Sequence, residues 1–210
     1  MAFDYKKEYK EIYVPKTTPT IIEIPNMNYI AVQGCGNPNE EGGEYKKAIE
    51  LLYKIAYTLK MSYKTDYEIE GFFQYVVPPL EGLWWQEGSK NFDMNKKEEF
   101  HWISMIRLPE FITVGNYNWA ISEAGKKSDI DYSKVEFFKY DEGLCVQSLH
   151  KGSYDGEGDT IMKLISHAEE NGYVIDENKE RLHHEIYLSD PRKSKPENLK
   201  TVIRLPIKEK

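Results

Sequence analysis

Ala48, Leu52, Ile55, Ala56 and Leu59 recur at helical spacing, with charged and polar positions between them. Residues three and four apart share one face of an α-helix, so this spacing predicts a helix with one apolar stripe over 44–60. Ile161, Leu164, Ile165 and Ala168 predict a second over 159–170, with Asp159 as N-cap and Asn171-Gly172 as its stop. Runs rich in β-branched and aromatic residues predict strands at 29–34, 67–77, 101–108, 143–148, 182–188 and 199–207. Pro109 opens, and Gly125 stops, a connecting helix over about 109–127.

The order strand, helix, strand, strand therefore occurs twice. Ile106-Arg107-Leu108-Pro109 returns as Ile203-Arg204-Leu205-Pro206, each time closing a strand-like run. Tyr29-Ile30-Ala31-Val32-Gln33-Gly34 likewise parallels Gly143-Leu144-Cys145-Val146-Gln147-Ser148. The expected fold class is α+β: one domain over 1–210, made of tandem duplicated βαββ units with pseudo-twofold symmetry. One half spans about 20–108, the linking helix about 109–127, and the second half about 135–207. A shorter spacing between the Arg107–Arg204 pair than between the Tyr75–Tyr187 pair places an insertion at 78–99 of the first half. A βαββ unit covers one sheet face with its helix, so the antiparallel sheets are expected to meet over a central ligand cleft, with the helices on the outer face.

Charge narrows the partners. The chain has 210 residues and a formal net charge of −7, from 35 acidic and 28 basic residues. Its lysines are interleaved with carboxylates, which opposes binding to a phosphate backbone, so no nucleic-acid partner is expected. No apolar run approaches the ~18 residues of a membrane span, and the start, from Met1 to Glu8, lacks the apolar core of a secretory signal. Cys35 and Cys145 show no metal spacing. The expected setting is cytoplasmic, with no membrane partner, no metal and no cofactor. Charge and length permit a protein partner, but no residue pattern indicates one. Sixteen tyrosines suit either a half-wet pocket or an ordinary tyrosine-rich core.

Three stretches carry a resemblance: Leu149-His150-Lys151-Gly152-Ser153-Tyr154, His184-Glu185-Ile186-Tyr187-Leu188-Ser189-Asp190-Pro191, and Pro79-Leu80-Glu81-Gly82-Leu83-Trp84-Trp85. With them, the chain from about residue 20 onward resembles the GyrI-like small-molecule-binding family, related to BmrR-like effector domains of multidrug-responsive regulators. Many relatives carry a DNA-binding helix-turn-helix ahead of this domain; the roughly 20 residues before the first strand are too short for one. The resemblance implies binding of amphipathic aromatic or cationic compounds, for sequestration or detoxification. It also extends to a stand-alone branch that includes hydrolases of cyclopropane-containing natural products.

Side chains alternate along 182–188, so His183, Glu185 and Tyr187 share one face, and Leu182, His184, Ile186 and Leu188 the other. The more apolar face is expected to meet the helix, which turns Glu185 and Tyr187 toward the cleft. The resemblance implies that Glu185 attracts cationic ligands or serves as general base; a solvated glutamate on an exposed sheet face is the alternative. Tyr187 or Tyr154 would donate a hydrogen bond, although Tyr154 also suits plain turn chemistry. The repeat maps Glu185 onto Phe73 and Tyr187 onto Tyr75. Phe73, Tyr75 and Trp102 are thus the expected aromatic wall, with His183 nearby and Trp84 or Trp85 as a lid. Each aromatic, taken singly, suits core packing equally well.

Overall fold

The computed structural model describes residues 2–88 and 92–210; Met1 and residues 89–91 of the expected insertion lie outside the described residues. The strands are β1 (Thr20–Ile24), β2 (Met27–Cys35), β3 (Leu80–Gln86), β4 (Phe100–Arg107), β5 (Glu136–Tyr140), β6 (Gly143–Lys151), β7 (Tyr173–Ile175), β8 (His183–Tyr187) and β9 (Lys200–Glu209). They form an antiparallel sheet in the order β1-β6-β9-β8-β3-β4-β2-β5, with β7 paired to β9. The helices are α1 (Tyr5–Glu8), α2 (Lys10–Tyr13), α3 (Glu44–Lys60), α4 (Val114–Gly125) and α5 (Gly158–Glu170). Mixed helix and open antiparallel sheet make the chain α+β, as its pattern predicts. Among the described residues no helix is long and apolar enough to cross a membrane.

The apolar stripe of α3 is buried as its spacing requires: Ala48, Leu52, Ile55, Ala56 and Leu59 pack on Ile30, Val32 and Ile106. Leu164 and Ala168 of α5 pack on Val146, Ile203 and Leu205. Two starts differ from expectation. The connecting helix begins after Thr113, whose hydroxyl and backbone exchange hydrogen bonds with Asn116; this capping box, rather than Pro109, satisfies the first free N–H groups. Asp159 lies inside the first turn of α5 and not at its cap, where it still complements the helix dipole.

The predicted strand over 67–77 is absent. Gly71 adopts φ +73° there, and an isolated bridge from Phe3 to Tyr75 is the β contact of the segment. The third strand of the first half is β3, inside the segment read as an insertion. β3 is central and mostly buried on both faces, so it lacks the polar–apolar alternation that marks a half-exposed strand. Gly82 lies opposite Glu185 and Leu80 opposite Tyr187. The mapping of Glu185 onto Phe73 and Tyr187 onto Tyr75 falls with the misplaced strand.

The helices are also placed differently. Ile106 pairs with Leu80, Leu80 with Tyr187, and Tyr187 with Thr201. Directly paired residues share a sheet face. Ile30 and Ile106 under α3, and Ile203 and Leu205 under α5, therefore lie on the face that carries Tyr187 and Glu185. Both long helices sit on one face of one continuous sheet, and the β3–β8 seam runs between them. The two halves join edge to edge through β3 and β8, so no bare faces are left to meet.

The opposite face holds His184, Ile186, Leu83, Met105 and the N-terminal helices. Arg107 and Arg204 of the repeated tetrapeptide both point there. Arg204 donates to the Ile12 carbonyl at 2.9 Å and to Glu142 Oε2 at 2.7 Å. The Tyr13 hydroxyl donates to Glu81 Oε1 at 3.3 Å. The segment ahead of β1 thus completes the core of the far face.

Candidate functional site

α3 packs over β2 and β4, and α5 over β6 and β9, which leaves a cleft above β3 and β8. Tyr45 and Tyr53 from α3, Ile161 and Ile165 from α5, and Trp84 with Tyr187 from the sheet line it. Its floor is a chain of hydrogen bonds. The Trp84 indole N–H donates to the Tyr187 oxygen at 2.8 Å, and the Tyr187 hydroxyl donates to Glu185 Oε2 at 2.8 Å. His183 Nε2 lies 3.1 Å from Glu185 Oε1, a hydrogen bond when that nitrogen carries the proton. Glu185 is thus held at both oxygens while its side chain stays 14% exposed, open to a guest.

Gly82 makes this chain possible. A Cβ there would fall 2.7 Å from Trp84 Nε1 and 3.0 Å from the Tyr187 oxygen. Gly82→Ala is therefore expected to part the indole from the phenol and weaken binding of an aromatic ligand about tenfold, read by titrated tryptophan quenching, with the sheet intact by circular dichroism.

Tyr154, in the short turn before α5, sets its ring edge-on to Tyr187 with centroids 5.8 Å apart. Burial and the Glu185 carboxylate push its hydroxyl up to about 12, so it keeps its proton. The next turn brings a group the sequence reading missed. Glu157 is buried at the mouth of α5, and its carboxyl lies with the His183 imidazole and the Glu185 carboxyl in a cluster whose ligand atoms are all within 4.8 Å. Burial first, and Glu185 second, push Glu157 well above the usual carboxylate range. Nothing in Tyr154-Asp155-Gly156-Glu157-Gly158 separates Glu157 from an ordinary turn acid; only the packing of α5 beside β8 does.

Of the residues singled out by sequence, Glu185, Tyr187, His183, Trp84 and Tyr154 come together here. Trp84 belongs to the strand floor and not to a lid. Phe73 lies elsewhere, 40% exposed and packed on Phe3 and Phe111. Tyr75 is buried in the cluster on the opposite face. Trp102 is buried beneath Tyr45, whose ring meets it edge-on at 5.1 Å, so it supports the wall without reaching the cleft. Trp85 alternates away from Trp84 and stacks on His101 at 5.2 Å. Phe73 and Tyr75 depart with the misplaced third strand and Trp85 by side-chain alternation, whereas Trp102 shares the face of Trp84 and is covered by Tyr45 of α3.

Residues 17–208 match the model of the family described as the GyrI-like small molecule binding domain. A crystal structure of an uncharacterized conserved protein from Listeria innocua is 44% identical, with a TM-score of 0.92, over 98% of this chain and 100% of that one. A second, described as a hydrolase from Listeria innocua, is 42% identical with a TM-score of 0.91, over 99% of this chain and 100% of that one. The C-terminal domain of EcmrR shares the fold at 13% identity and a TM-score of 0.57, over 91% and 98% of the two chains. No curated protein matches the chain.

Proposed function

Because the chain belongs to the family of GyrI-like small-molecule-binding domains, we propose that its cleft takes up a flat aromatic compound and adds water to an electrophilic cyclopropane that the compound carries. The observation that carries this reading is the pair Glu157 and Glu185: two carboxyl groups in one aromatic-walled cleft, one pushed above the usual carboxylate range by burial and by the other's charge. An acid and a base in neighbouring environments are what water addition requires. The likeness to a structure described as a hydrolase supports the same reading.

The substrate class is a cyclopropane fused to a conjugated dienone. Tyr45, Tyr53 and Trp84 hold its flat ring system, and the helices exclude bulk water. Glu185, oriented by Tyr187, takes a proton from a water molecule as the water oxygen bonds to the strained ring carbon. The opposing C–C bond breaks, and its electron pair passes through the conjugated system to the carbonyl oxygen, with Tyr154 donating a hydrogen bond. That oxygen takes the proton of Glu157 and becomes a phenol. Transfer of the proton from Glu185 to Glu157 restores the pair. The net change is the gain of one water.

A second reading, sequestration of cationic aromatic compounds, is favoured by the aromatic walls around an acid. Mass spectrometry after incubation with a cyclopropane-bearing compound separates the two. A product heavier by one water, formed over many turnovers, supports hydrolysis. Saturable tryptophan quenching with an unchanged compound leaves binding alone, and the absence of both product and quenching would sink both readings. The hydrolytic rate is expected to fall on the alkaline side as Glu157 loses its proton, and Glu157→Gln should remove that limb.

A further inference from the structure

We infer that Glu157, His183 and Glu185 form a binding site for a divalent transition-metal ion of the zinc class. Their ligand atoms already lie within 4.8 Å of one another, on three side chains buried or nearly so at the cleft floor. His183 Nε2 and Glu185 Oε1 are 3.1 Å apart. Two ligands each about 2.1 Å from one zinc ion stand about 3.0–3.4 Å apart, so these two atoms already span one edge of a coordination shell. The third side only has to close by a small side-chain movement.

Two further observations point to a cation. Glu157 is 7% exposed, and its Oε1 has no hydrogen-bond partner among the described residues. A buried carboxylate oxygen without a partner is costly, and a cation between the three groups would supply the missing interaction. Glu185 Oε2 is engaged by the Tyr187 hydroxyl, itself held by Trp84, which leaves Oε1 turned toward His183. Such outer hydrogen bonds orient the ligands of protein metal sites. Two carboxylates and one neutral imidazole balance a dication, and an imidazole among only three ligands favours zinc, cobalt or nickel over magnesium or calcium. The remaining coordination positions open onto the cleft.

Occupancy would take both carboxylates out of proton transfer, so the ion would inhibit the hydrolysis proposed above; this consequence rests on that reading, whereas the site does not. The test uses zinc chloride alone, with no organic compound present. Calorimetric titration of the full chain should show one Zn²⁺ bound per chain, with affinity lower by tenfold or more in Glu157→Gln and in His183→Asn. In the unaltered protein, Zn²⁺ should shift the ring resonances of His183, while those of His101, His150 and His167 stay in place. That measurement holds even if a variant folds poorly. Absence of stoichiometric binding, affinity in both variants unchanged from the parent protein, or shifts confined to the other histidines would overturn the site and leave the hydrolytic reading untouched.

Discussion

Glu185→Gln is expected to lower kcat/KM for water addition by about 10²–10⁴-fold while leaving the affinity for a neutral aromatic substrate within a few-fold. The glutamine keeps the shape of the side chain, and its amide oxygen can still accept from Tyr187, which donates to Glu185 Oε2 at 2.8 Å. It cannot accept a proton from water. Rate and binding therefore separate, and that separation distinguishes a lost base from a distorted pocket. Single-turnover assays followed by mass spectrometry give the rate, and tryptophan quenching gives the affinity. A variant with the rate of the parent protein would remove Glu185 from the reaction.

Glu142→Gln is expected to cost about 3–5 kcal/mol of stability, although the residue lies on the far face of the sheet and touches no ligand. Its carboxylate binds Arg204 Nη1 at 2.7 Å and His184 Nδ1 at 2.9 Å, and all three groups are buried. Removing its charge leaves two buried cations facing Glu81 alone, whose Oε2 lies 3.0 Å from His184 Nε2. Urea denaturation at neutral pH measures the loss.

The same cluster gives stability a pH signature. Burial opposes the charge of Glu142, but Arg204 and His184 hold its carboxyl down at about 2. Its contribution is present above the ordinary carboxylate value of about 4.3 and is lost as pH falls toward 2. Burial likewise opposes a charged His184, yet Glu142 and Glu81 hold it up at about 9. That contribution is complete below about 6.5 and is lost as pH rises through 9. The stability that these two groups supply should form a plateau between about pH 4.5 and 6.5, with the alkaline decline shifted to lower pH in Glu142→Gln. Melting temperatures across pH 3–10, compared between the two proteins, test this; coincident alkaline limbs would show that His184 does not depend on Glu142.

Local pattern alone determined much of this protein. The stripe from Ala48 to Leu59 specifies α3, because a helix with one apolar face can be buried against a sheet in only one rotation. Alternation along β8 places His183, Glu185 and Tyr187 on one side, because a strand turns successive side chains to opposite faces. The ordered motifs pointed to the family that the match over 17–208 shows. Tertiary structure decided the rest. β3 is hidden from pattern because it is the middle of the sheet, where burial on both faces erases alternation, and with it went the assignment of Phe73 and Tyr75 to the cleft. Which face the helices cover was settled by pairing between distant strands, Leu80 with Tyr187 and Tyr187 with Thr201. Glu157 acquires its chemistry only when α5 docks beside β8, since a carboxyl group is an ordinary solvated acid until packing strips its water and sets a second carboxylate beside it.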